Sequence, residues 1–588
     1  GVQLDLKYQH HTQQAKSDNI STMDSYGTRY TINRFTQLDP ANNTVRYIIP
    51  KGSIVEKTNT GIQSQNIRAQ LNLNKQIADH QLGGWLGFEA RETENTYNTY
   101  RMYGYSKDPL LAAQMDFVNA YPTYITGSPS VIPGAPREEM TNQRFISYYA
   151  NLGYSYKSRY LLNASARRDG SNLFGLSTNN KWNPLWSAGL GWTISSEPWY
   201  QLKWLPRLNL RTTYGFSGNI NPDMVAIPVA QGFIDYLNNR PAANITRINN
   251  PSLKWETVEQ FNLALDFSTR NNRISGSIDF YLKNGNDLYG PAPFDYTGAI
   301  STSNMITRNV AATSGKGLDL SIRAQLVKGM VNYSITGILN YNNTKTKKYY
   351  SATAEQISTF LSTGSAIQPV VGKPLYALVA YRWGGLDENG NPIGFLDGKP
   401  STDYRAIITE GSTKGVDGNL IYMGSATPRF TGSLIQSVSW KGLHLNVNIG
   451  YRLGYFFRKN TISYSQLVSN GRGHADFSKR WQQPGDEQFT NVPSFIYPHN
   501  RLADRDALYG RAEINVFSAS NIRLNYVNLA YDLPRFEKWM SPESNWQCYL
   551  NASNLGILWR ANKLGLDPDY SGMAARQLVL AAGFRISL

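Results

Sequence analysis

Apolar and polar residues alternate along much of the chain, which places them on opposite faces of β-strands. Segment 578–588 shows this alternation best, and it recurs in 443–452, 261–268 and 186–195. Several of the apolar faces end in Trp or Tyr, whereas the opposite faces carry Asn, Ser, Gly and Arg. A soluble sandwich would instead carry dense Lys and Glu on its outer face. The pattern therefore predicts strands with one face towards lipid and the other towards a polar interior.

The alternation predicts about sixteen strands. They lie near 1–12, 62–75, 79–91, 143–156, 158–170, 183–194, 206–218, 257–269, 272–284, 314–327, 330–342, 428–440, 442–456, 518–533, 543–556 and 575–588. Short connections such as 440–442 alternate with long ones, the largest being 92–142, 343–427 and 457–517. Short turns on one side and long loops on the other are typical of bacterial outer-membrane barrels. The predicted fold class is all-β, a transmembrane antiparallel β-barrel.

Strand faces can be assigned residue by residue, and a register error of one position would invert every assignment. The lipid-facing set is Leu443, Leu445, Val447, Ile449, Phe584 and Ile586, and the lumen-facing set is His444, Asn446, Asn448 and Arg585. One strand breaks phase, because the apolar set in 522–531 shifts by one position near Tyr526. A β-bulge there would restore the lipid-facing register.

Composition agrees with a barrel and excludes several other classes of protein. Aromatic residues make up 12% of the chain and charged residues only 17%, and the mean hydropathy is −0.43. We find no apolar run long enough for a spanning helix. The net charge of +16 comes without a dense basic block, so nucleic acid is not an expected partner. A single cysteine, Cys548, excludes an internal disulfide framework.

The residues that usually carry catalysis or metal binding are scattered, so we expect no enzyme activity, metal or cofactor. His10 and His11 are adjacent and would point to opposite faces of a strand. Segment 387–391, Asp-Glu-Asn-Gly-Asn, faintly resembles an oxygen-ligand calcium loop. It lacks the later Glu and is followed by Pro392, which favours a simple turn.

Several short motifs occur in a fixed order between 62 and 588. They are Arg159-Tyr-Leu-Leu-Asn-Ala-Ser-Ala-Arg-Arg-Asp-Gly-Ser171, Asn180-Lys-Trp182, Ser187-Ala-Gly-Leu-Gly-Trp192, Leu253-Lys-Trp-Glu-Thr257, Val371-Gly-Lys-Pro-Leu375, Gly424-Ser-Ala-Thr-Pro428, Ile522-Arg-Leu524, Leu529-Ala-Tyr531 and Gly565-Leu-Asp-Pro568. Each motif is weak alone, but the ordered set resembles the SusC/RagA family of TonB-linked outer-membrane transporters of the Bacteroidetes.

This resemblance implies a barrel of about 22 strands. Residues 1–588 would then be the carboxyl-terminal part of the barrel, with the plug and the first strands upstream of Gly1. It implies import of oligosaccharides or oligopeptides, with a SusD-like surface lipoprotein as lid. TonB would act through the missing amino-terminal region, and the barrel wall would contact outer-membrane lipid. We also expect that the first and last strands are not neighbours.

The long loops carry the candidate ligand contacts, because exposed aromatic rings give contact area at little entropic cost. These candidates are Tyr381, Arg382, Trp383 and Trp481. The alternative is that they pack one loop against another. Arg167, Arg168 and Asp169, at the outer end of a strand, are expected to be structural lumen charges that pair with the plug.

Other functions stay open from the sequence. The main alternative to import is a structural or scaffold subunit of a larger outer-membrane complex. A passive porin of about sixteen strands and a siderophore importer are further alternatives. An upstream TonB-contacting segment would favour import over a scaffold.

Overall fold

In the computed structural model, sixteen long strands form one antiparallel sheet. The structure describes residues 1–39, 41–172, 182–219, 229–234, 240–247, 250, 252–293, 305–349, 370–497, 502–534, 545–570 and 576–587. The long strands are β1 Val2–Ser21, β2 Ser53–Ile77, β3 His80–Lys107, β4 Arg137–Tyr156, β5 Tyr160–Ser171, β6 Trp182–Thr193, β7 Arg207–Asn219, β8 Glu256–Ser268, β9 Ile274–Pro293, β10 Met305–Val327, β11 Val331–Tyr349, β12 Phe430–Trp440, β13 Leu443–Leu453, β14 Asn521–Asp532, β15 Asn545–Arg560 and β16 Val579–Ser587. The predicted all-β fold and its sixteen strands are confirmed.

Each long strand pairs with the next one along the chain, from β1–β2 through β15–β16. Within the described residues, β1 pairs over its whole length with β2, and β16 pairs with β15. No pairing joins β1 to β16 in that part of the chain, in agreement with the expectation that they are not neighbours.

The strands are longer than the sequence pattern predicted, mainly at the ends that carry the long loops. β3 has 28 residues, whereas a membrane crossing needs only about 9–11. Its outer half, 92–100, is polar on both faces, so no lipid-facing alternation marks it. Backbone pairing nevertheless continues there, supported by cross-strand contacts such as the Thr58–Thr99 hydroxyl pair at 3.3 Å.

Short and long connections alternate along the chain, as predicted. Lys441 and Gly442 both have positive φ angles, 46° and 82°, and they close the β12–β13 hairpin in two residues. The turn between β4 and β5 likewise uses positive φ at Lys157 and Ser158. Tight turns of this kind match the twist of the flanking strands. We call the side with long connections the outer side.

The two faces of the sheet differ in chemistry. Ile278, Phe280 and Leu282 alternate along β9 and are each 37–41% exposed on the apolar face. Between them Asp279 turns to the other face, where it forms an ion pair with Arg211 at 3.4 Å. On the same polar face Arg452 donates to Asp569 of an outer loop at 2.8 Å, so this face is the lumen side. The apolar face is then the lipid-facing one.

Strand β13 has the predicted faces. His444 Nε2 lies 2.8 Å from Asp532 Oδ2, and Asn446 and Asn448 bond to Ser437 and Asn525 on the same polar face. On the opposite face Leu445 pairs in register with Leu529, and Val447 with Val527.

The β-bulge predicted near Tyr526 is present in β14. Tyr526 pairs with Asn448, but Leu524 pairs with Ile449, so Asn525 is the extra residue. Its side chain points to the polar face and donates to Asn448 Oδ1 at 2.8 Å. A Cβ on Gly450 would lie only 2.4 Å from the Asn525 amide nitrogen, so a larger residue there would displace this side chain from its present position. The bulge returns Leu524 and Ile522 to the lipid-facing set.

The outer loops contain the helices and most of the short strands. The helices are α1 Tyr26–Arg34, α2 Tyr404–Lys414, α3 Tyr464–Asn470 and α4 Leu502–Gly510, and 3-10 turns occur at Ile194–Ser196, Arg270–Asn272, Gly415–Asp417, Ala475–Lys479, Asp486–Gln488, Glu513–Asn515 and Pro568–Tyr570. The short strands pair as Thr36–Asp39 with Thr44–Tyr47, Leu110–Ala113 with β3, Ala120–Pro122 with Pro129–Val131, Val229–Ile234 with Pro241–Arg247, Ala377–Tyr381 with Leu420–Ser425, Gly394–Leu396 with Lys399–Ser401, and Phe456–Arg458 with Val516–Ser518. No helix in the described part of the chain is long and apolar enough to cross a membrane.

We expect Val447→Arg to reduce the stability of the barrel by roughly 2–4 kcal/mol, because it places a charge against lipid near the membrane midplane. Equilibrium unfolding of protein refolded into lipid vesicles measures this loss. The control is Asn446→Arg on the polar face of the same strand, which should cost much less. Equal losses for the two variants would contradict the assigned faces.

Candidate functional site

Two of the long outer loops fold together into one unit, which we call the loop domain and define as the described residues of 373–427 and 456–518. Strand Ala377–Tyr381 is buried throughout and pairs with Leu420–Ser425. From the second loop, Arg458 Nη2 donates to the carbonyl of Val379 at 2.5 Å. The backbone N–H of Tyr381 donates to the carbonyl of Arg511 at 3.0 Å. The two loops therefore depend on each other for their folding.

The first core of the loop domain lies under helix α2. It consists of Val379, Tyr381, Ile407, Leu420 and Leu508. Asp403 caps α2 by accepting from the N–H of Ala406 at 3.1 Å, which fixes where the helix begins. The ring of Tyr381 lies against Gly411, where a Cβ would approach it to 2.8 Å.

Tyr381 is one of the predicted ligand contacts, but its side chain belongs to this core. It is 1% exposed, and burial raises the pKa of its hydroxyl to about 12. A ring at that position cannot touch a ligand in this conformation. The physical reason is that Tyr381 ends a fully buried strand, so its side chain stabilises the loop domain. Its neighbour Arg382 is exposed at the end of the strand.

Trp383 is partly exposed and packs on the second core. That core contains Ile462, Tyr464, Val492 and Tyr509. The rings of Trp383 and Tyr509 are 5.9 Å apart, and the Trp383 backbone N–H donates to Glu513 Oε1 at 2.8 Å. One side of this indole is therefore fixed by packing, and part of its surface remains accessible.

Trp481 is also partly exposed and lies near the same core. Its backbone N–H donates to the carbonyl of Val492 at 2.9 Å, and its indole N–H donates to Glu487 Oε2 at 3.0 Å. This indole hydrogen bond is the main cause of the lowered pKa of Glu487. Its ring rests on Gly390, where a Cβ would approach to 2.5 Å. The fold thus brings both Trp383 and Trp481 to the core that contains Val492.

The calcium-like segment 387–391 is a turn that supports Trp481. Asp387 Oδ1 accepts from the backbone N–H groups of Asn389 and Asn391 at 2.9 and 2.7 Å. Its second oxygen accepts from the Asn391 side chain at 3.0 Å. The carboxylate therefore stabilises the turn through hydrogen bonds within it, as Asp commonly does. Among the described residues, no group of three or more His, Cys, Asp or Glu side chains could hold a metal ion.

Segment 489–497 carries an exposed aromatic surface that the sequence pattern did not predict. Phe489 is 89% exposed and Tyr497 is 69% exposed. Phe495 stacks on Tyr497 with an angle of 11° between the rings, and it is held from beneath by Tyr464 at 5.4 Å. The three aromatic residues within nine positions of a polar loop were the available signal. We call Phe489, Phe495 and Tyr497 the aromatic platform.

Lumen charges at the outer ends of β4 and β5 are paired within the barrel wall. Arg167 Nε lies 2.7 Å from Asp169 Oδ1, and Arg167 also donates to Ser147. The guanidinium lies 5.8 Å from the centre of the Tyr149 ring. Arg168 is on the opposite, lipid-facing side, 5.0 Å from the Trp182 ring. The lumen assignment was therefore wrong for Arg168, because adjacent residues of a strand point to opposite faces.

A membrane-spanning sheet with a polar lumen face and a large folded outer domain defines an outer-membrane transport barrel as the class of protein. The family model "TonB dependent receptor-like, beta-barrel" matches residues 1–555, so the chain belongs to this family. Its members are outer-membrane receptors and transporters, and the family is not one of enzymes.

Individual relatives confirm the resemblance to the SusC/RagA family. TonB-dependent receptor P3 of Formosa agariphila is 24% identical over 552 residues, which cover 87% of this chain and 52% of that protein. TonB-dependent receptor SusC of Bacteroides thetaiotaomicron is 31% identical over 278 residues, 43% of this chain and 26% of that protein. The matched region thus spans about half the length of the first relative and about a quarter of the length of the second.

Solved structures confirm the fold. A chain of the RagAB peptide importer in its "open-open" state has a TM-score of 0.72 and 21% identity, with 100% of this chain and 59% of that chain covered. The "closed-closed" state of the same importer gives a TM-score of 0.70, with 95% of this chain and 57% of that chain covered.

Proposed function

We propose that this chain forms the barrel wall of a TonB-dependent importer for oligosaccharides or oligopeptides. The observation that carries the proposal is the loop domain, which a barrel does not need for closure and which displays partly free aromatic side chains. Arg382, Trp383 and Trp481 keep the ligand role predicted for them, and the aromatic platform joins them. Aromatic faces stack on sugar rings and pack on peptide side chains at a low entropic cost.

A SusD-like surface lipoprotein is the partner that we propose for the outer side. Besides the loop domain, the loops that precede β2 and β4 pack with the outer end of β3 in a separate core that includes Ile32, Phe35 and Tyr103. This second unit exposes large apolar side chains, among them Tyr26 at 76% and Ile125 at 73%. Exposed apolar surface of this kind often marks an interface. We place the contact with TonB in an amino-terminal plug region outside this chain.

The lid proposal is tested by purification of the native transporter from its own membranes. We expect a lipoprotein to copurify in a stable ratio and to be lost when Tyr26 and Ile125 are both replaced by Asp. The matched control is Trp199→Asp, which changes an exposed side chain on the side with short connections. A transporter that purifies alone and still takes up substrate would exclude the lid.

We expect Tyr497→Ala to weaken substrate uptake about three- to tenfold while the loop domain stays folded, because a lost aromatic stack costs about 0.5–1.5 kcal/mol. Trp383→Ala should weaken uptake and also loosen the loop domain, since its ring packs on Tyr509. Uptake of labelled oligomers by whole cells measures the first effect, and limited proteolysis measures the second. Neither variant should alter barrel assembly.

The matched control is Trp199→Ala, which removes an exposed ring from the opposite end of the barrel and should leave uptake unchanged. Unchanged uptake in both Tyr497→Ala and Trp383→Ala would contradict a ligand role for the loop domain. A scaffold function would then be the better interpretation.

A further inference from the structure

A polar cleft of about 730 Å³ lies at the outer end of the lumen face, between strands β13–β15 and the loop that connects β15 to β16. Its charged lining consists of Arg452, Arg523, Arg560, Arg576, Asp567 and Asp569. This cleft lies apart from the aromatic side chains of the loop domain described above. It contains more positive than negative side chains, and an open polar cleft of this kind suits a charged ligand group.

Two of the four guanidinium groups are neutralised by the loop. Arg523 binds both oxygens of Asp567, with its Nη1 donating at 3.0 Å, and its Nη2 lies 3.2 Å from Asp569. Arg452 donates to Asp569 at 2.8 Å. Burial alone would raise the pKa of Asp567, but the hydrogen bond from Arg523 holds it below its ordinary value. Arg523 and Arg452 therefore occupy both carboxylates.

The other two guanidinium groups form no ion pair within 4.0 Å with a carboxylate in the described part of the chain, although Arg560 is close enough to Asp567 to lower the pKa of that carboxyl. Arg560 donates to the carbonyl of Gly565, and Arg576 lies 5.8 Å from the centre of the Tyr570 ring. Segment 571–575, Ser-Gly-Met-Ala-Ala, brings no charge in its sequence. The cleft thus carries two positive charges more than its own acids neutralise.

The strands beneath the cleft are shaped to form it. The bulge residue Asn525 of β14 lines the cleft, and β15 has its own irregularity opposite, where Asn554 and Gly556 have positive φ angles of 59° and 112°. Bulges commonly turn a side chain towards a functional site. Arg523 is fixed from below by Asn521, which is 0% exposed and accepts from Arg523 Nε at 3.0 Å.

We infer that this cleft is a subsite for the carboxylate of an acidic oligosaccharide, so that the imported substrate is a uronic-acid-containing glycan. The inference rests on the proposed import function. Arg560 and Arg576 supply the charge-assisted hydrogen bonds that a carboxylate requires. The amides of Asn525 and Asn554 suit sugar hydroxyl groups, and the Tyr570 ring offers a face for a pyranose.

The test is calorimetric titration of the native, detergent-solubilised transporter with a tetragalacturonate. We expect the doubly substituted variant Arg560→Gln/Arg576→Gln to lose at least about tenfold in affinity, since a hydrogen bond to a charged group contributes about 1.5–3 kcal/mol. The wild-type affinity should also fall as salt is raised, because exposed charges are screened. The matched control is Arg273→Gln, an exposed arginine of the short turn between β8 and β9 at the opposite end of the barrel, which should bind as the wild type does.

Three results would overturn the inference. They are equal binding of a neutral tetrasaccharide, tighter binding of an acidic peptide of similar size, and an unchanged affinity in the double variant. Its failure is distinguishable from failure of the proposed function. If cells take up neutral oligomers through the native transporter but tetragalacturonate does not compete, only the acidic subsite is excluded. If no oligomer is taken up at all, the proposed import function fails.

Discussion

Insertion of one alanine between Val527 and Asn528 is expected to prevent most of the protein from assembling into a stable barrel. With one residue more and the β-bulge unchanged, the half of β14 that precedes the insertion slips by one position against β13, and every side chain in that half changes face. Arg523 would turn towards lipid, Leu524 would enter the lumen, and Asp567 would lose its partner. Exposure of a charge to lipid and the loss of a largely buried ion pair together cost roughly 3 kcal/mol or more.

The fraction of protein that stays compact on an unheated gel after refolding into vesicles measures this effect. Deletion of Asn525 is the matched control, because removal of the extra residue leaves Leu524 opposite Ile449 and Tyr526 opposite Asn448, with every side chain on its present face. It should lose little more than the hydrogen bond to Asn448, about 1 kcal/mol. If the insertion variant assembles as well as the deletion variant, the register of β14 does not decide assembly.

The second large effect is expected for Arg505→Leu, which should unfold the loop domain while the barrel remains intact. Arg505 is 1% exposed, and it donates to the carbonyl of Ser494 at 2.8 Å and to that of Gly390 at 2.9 Å. These partners belong to the two different loops. Leucine would leave buried acceptors without a donor, at a cost of roughly 3 kcal/mol. Since Gly390 supports the ring of Trp481, the ligand surface should be lost with it.

Limited proteolysis measures the unfolding of the loop domain, because an unfolded loop domain should be cleaved rapidly while the membrane-embedded strands resist cleavage. Arg405→Leu is the matched control, since Arg405 is an exposed arginine of helix α2. It should leave the cleavage rate unchanged. Equal resistance of both variants and the wild type would show that Arg505 does not hold the two loops together.

The barrel strands could be predicted closely from the sequence, because lipid imposes a strict local rule. Every spanning backbone group must be paired, and every second side chain must be apolar. These requirements act on neighbouring positions, so they appear as a period of two in the sequence. Even the bulge at Asn525 was visible, since it appears as a break of one position in the alternation.

The outer ends of the strands were predicted less well. Beyond the membrane both faces of β3 contact water, so the apolar alternation stops while backbone pairing continues. Pairing between strands depends on a partner that the local sequence does not reveal. The predicted loop 92–142 was therefore too long at both ends, because β3 extends to Lys107 and β4 begins at Arg137.

The sequence by itself determined the barrel, its faces and the presence of aromatic residues in the long loops. Only the tertiary structure decided which of those aromatic residues can meet a ligand. Tyr381 is buried and Tyr497 is exposed, although both lie in long loops. The contacts that make this difference join residues far apart in the chain, such as Trp383 with Glu513, 130 positions away. No local pattern records such a contact, since its energy comes from burial and hydrogen bonding between two loops that fold together.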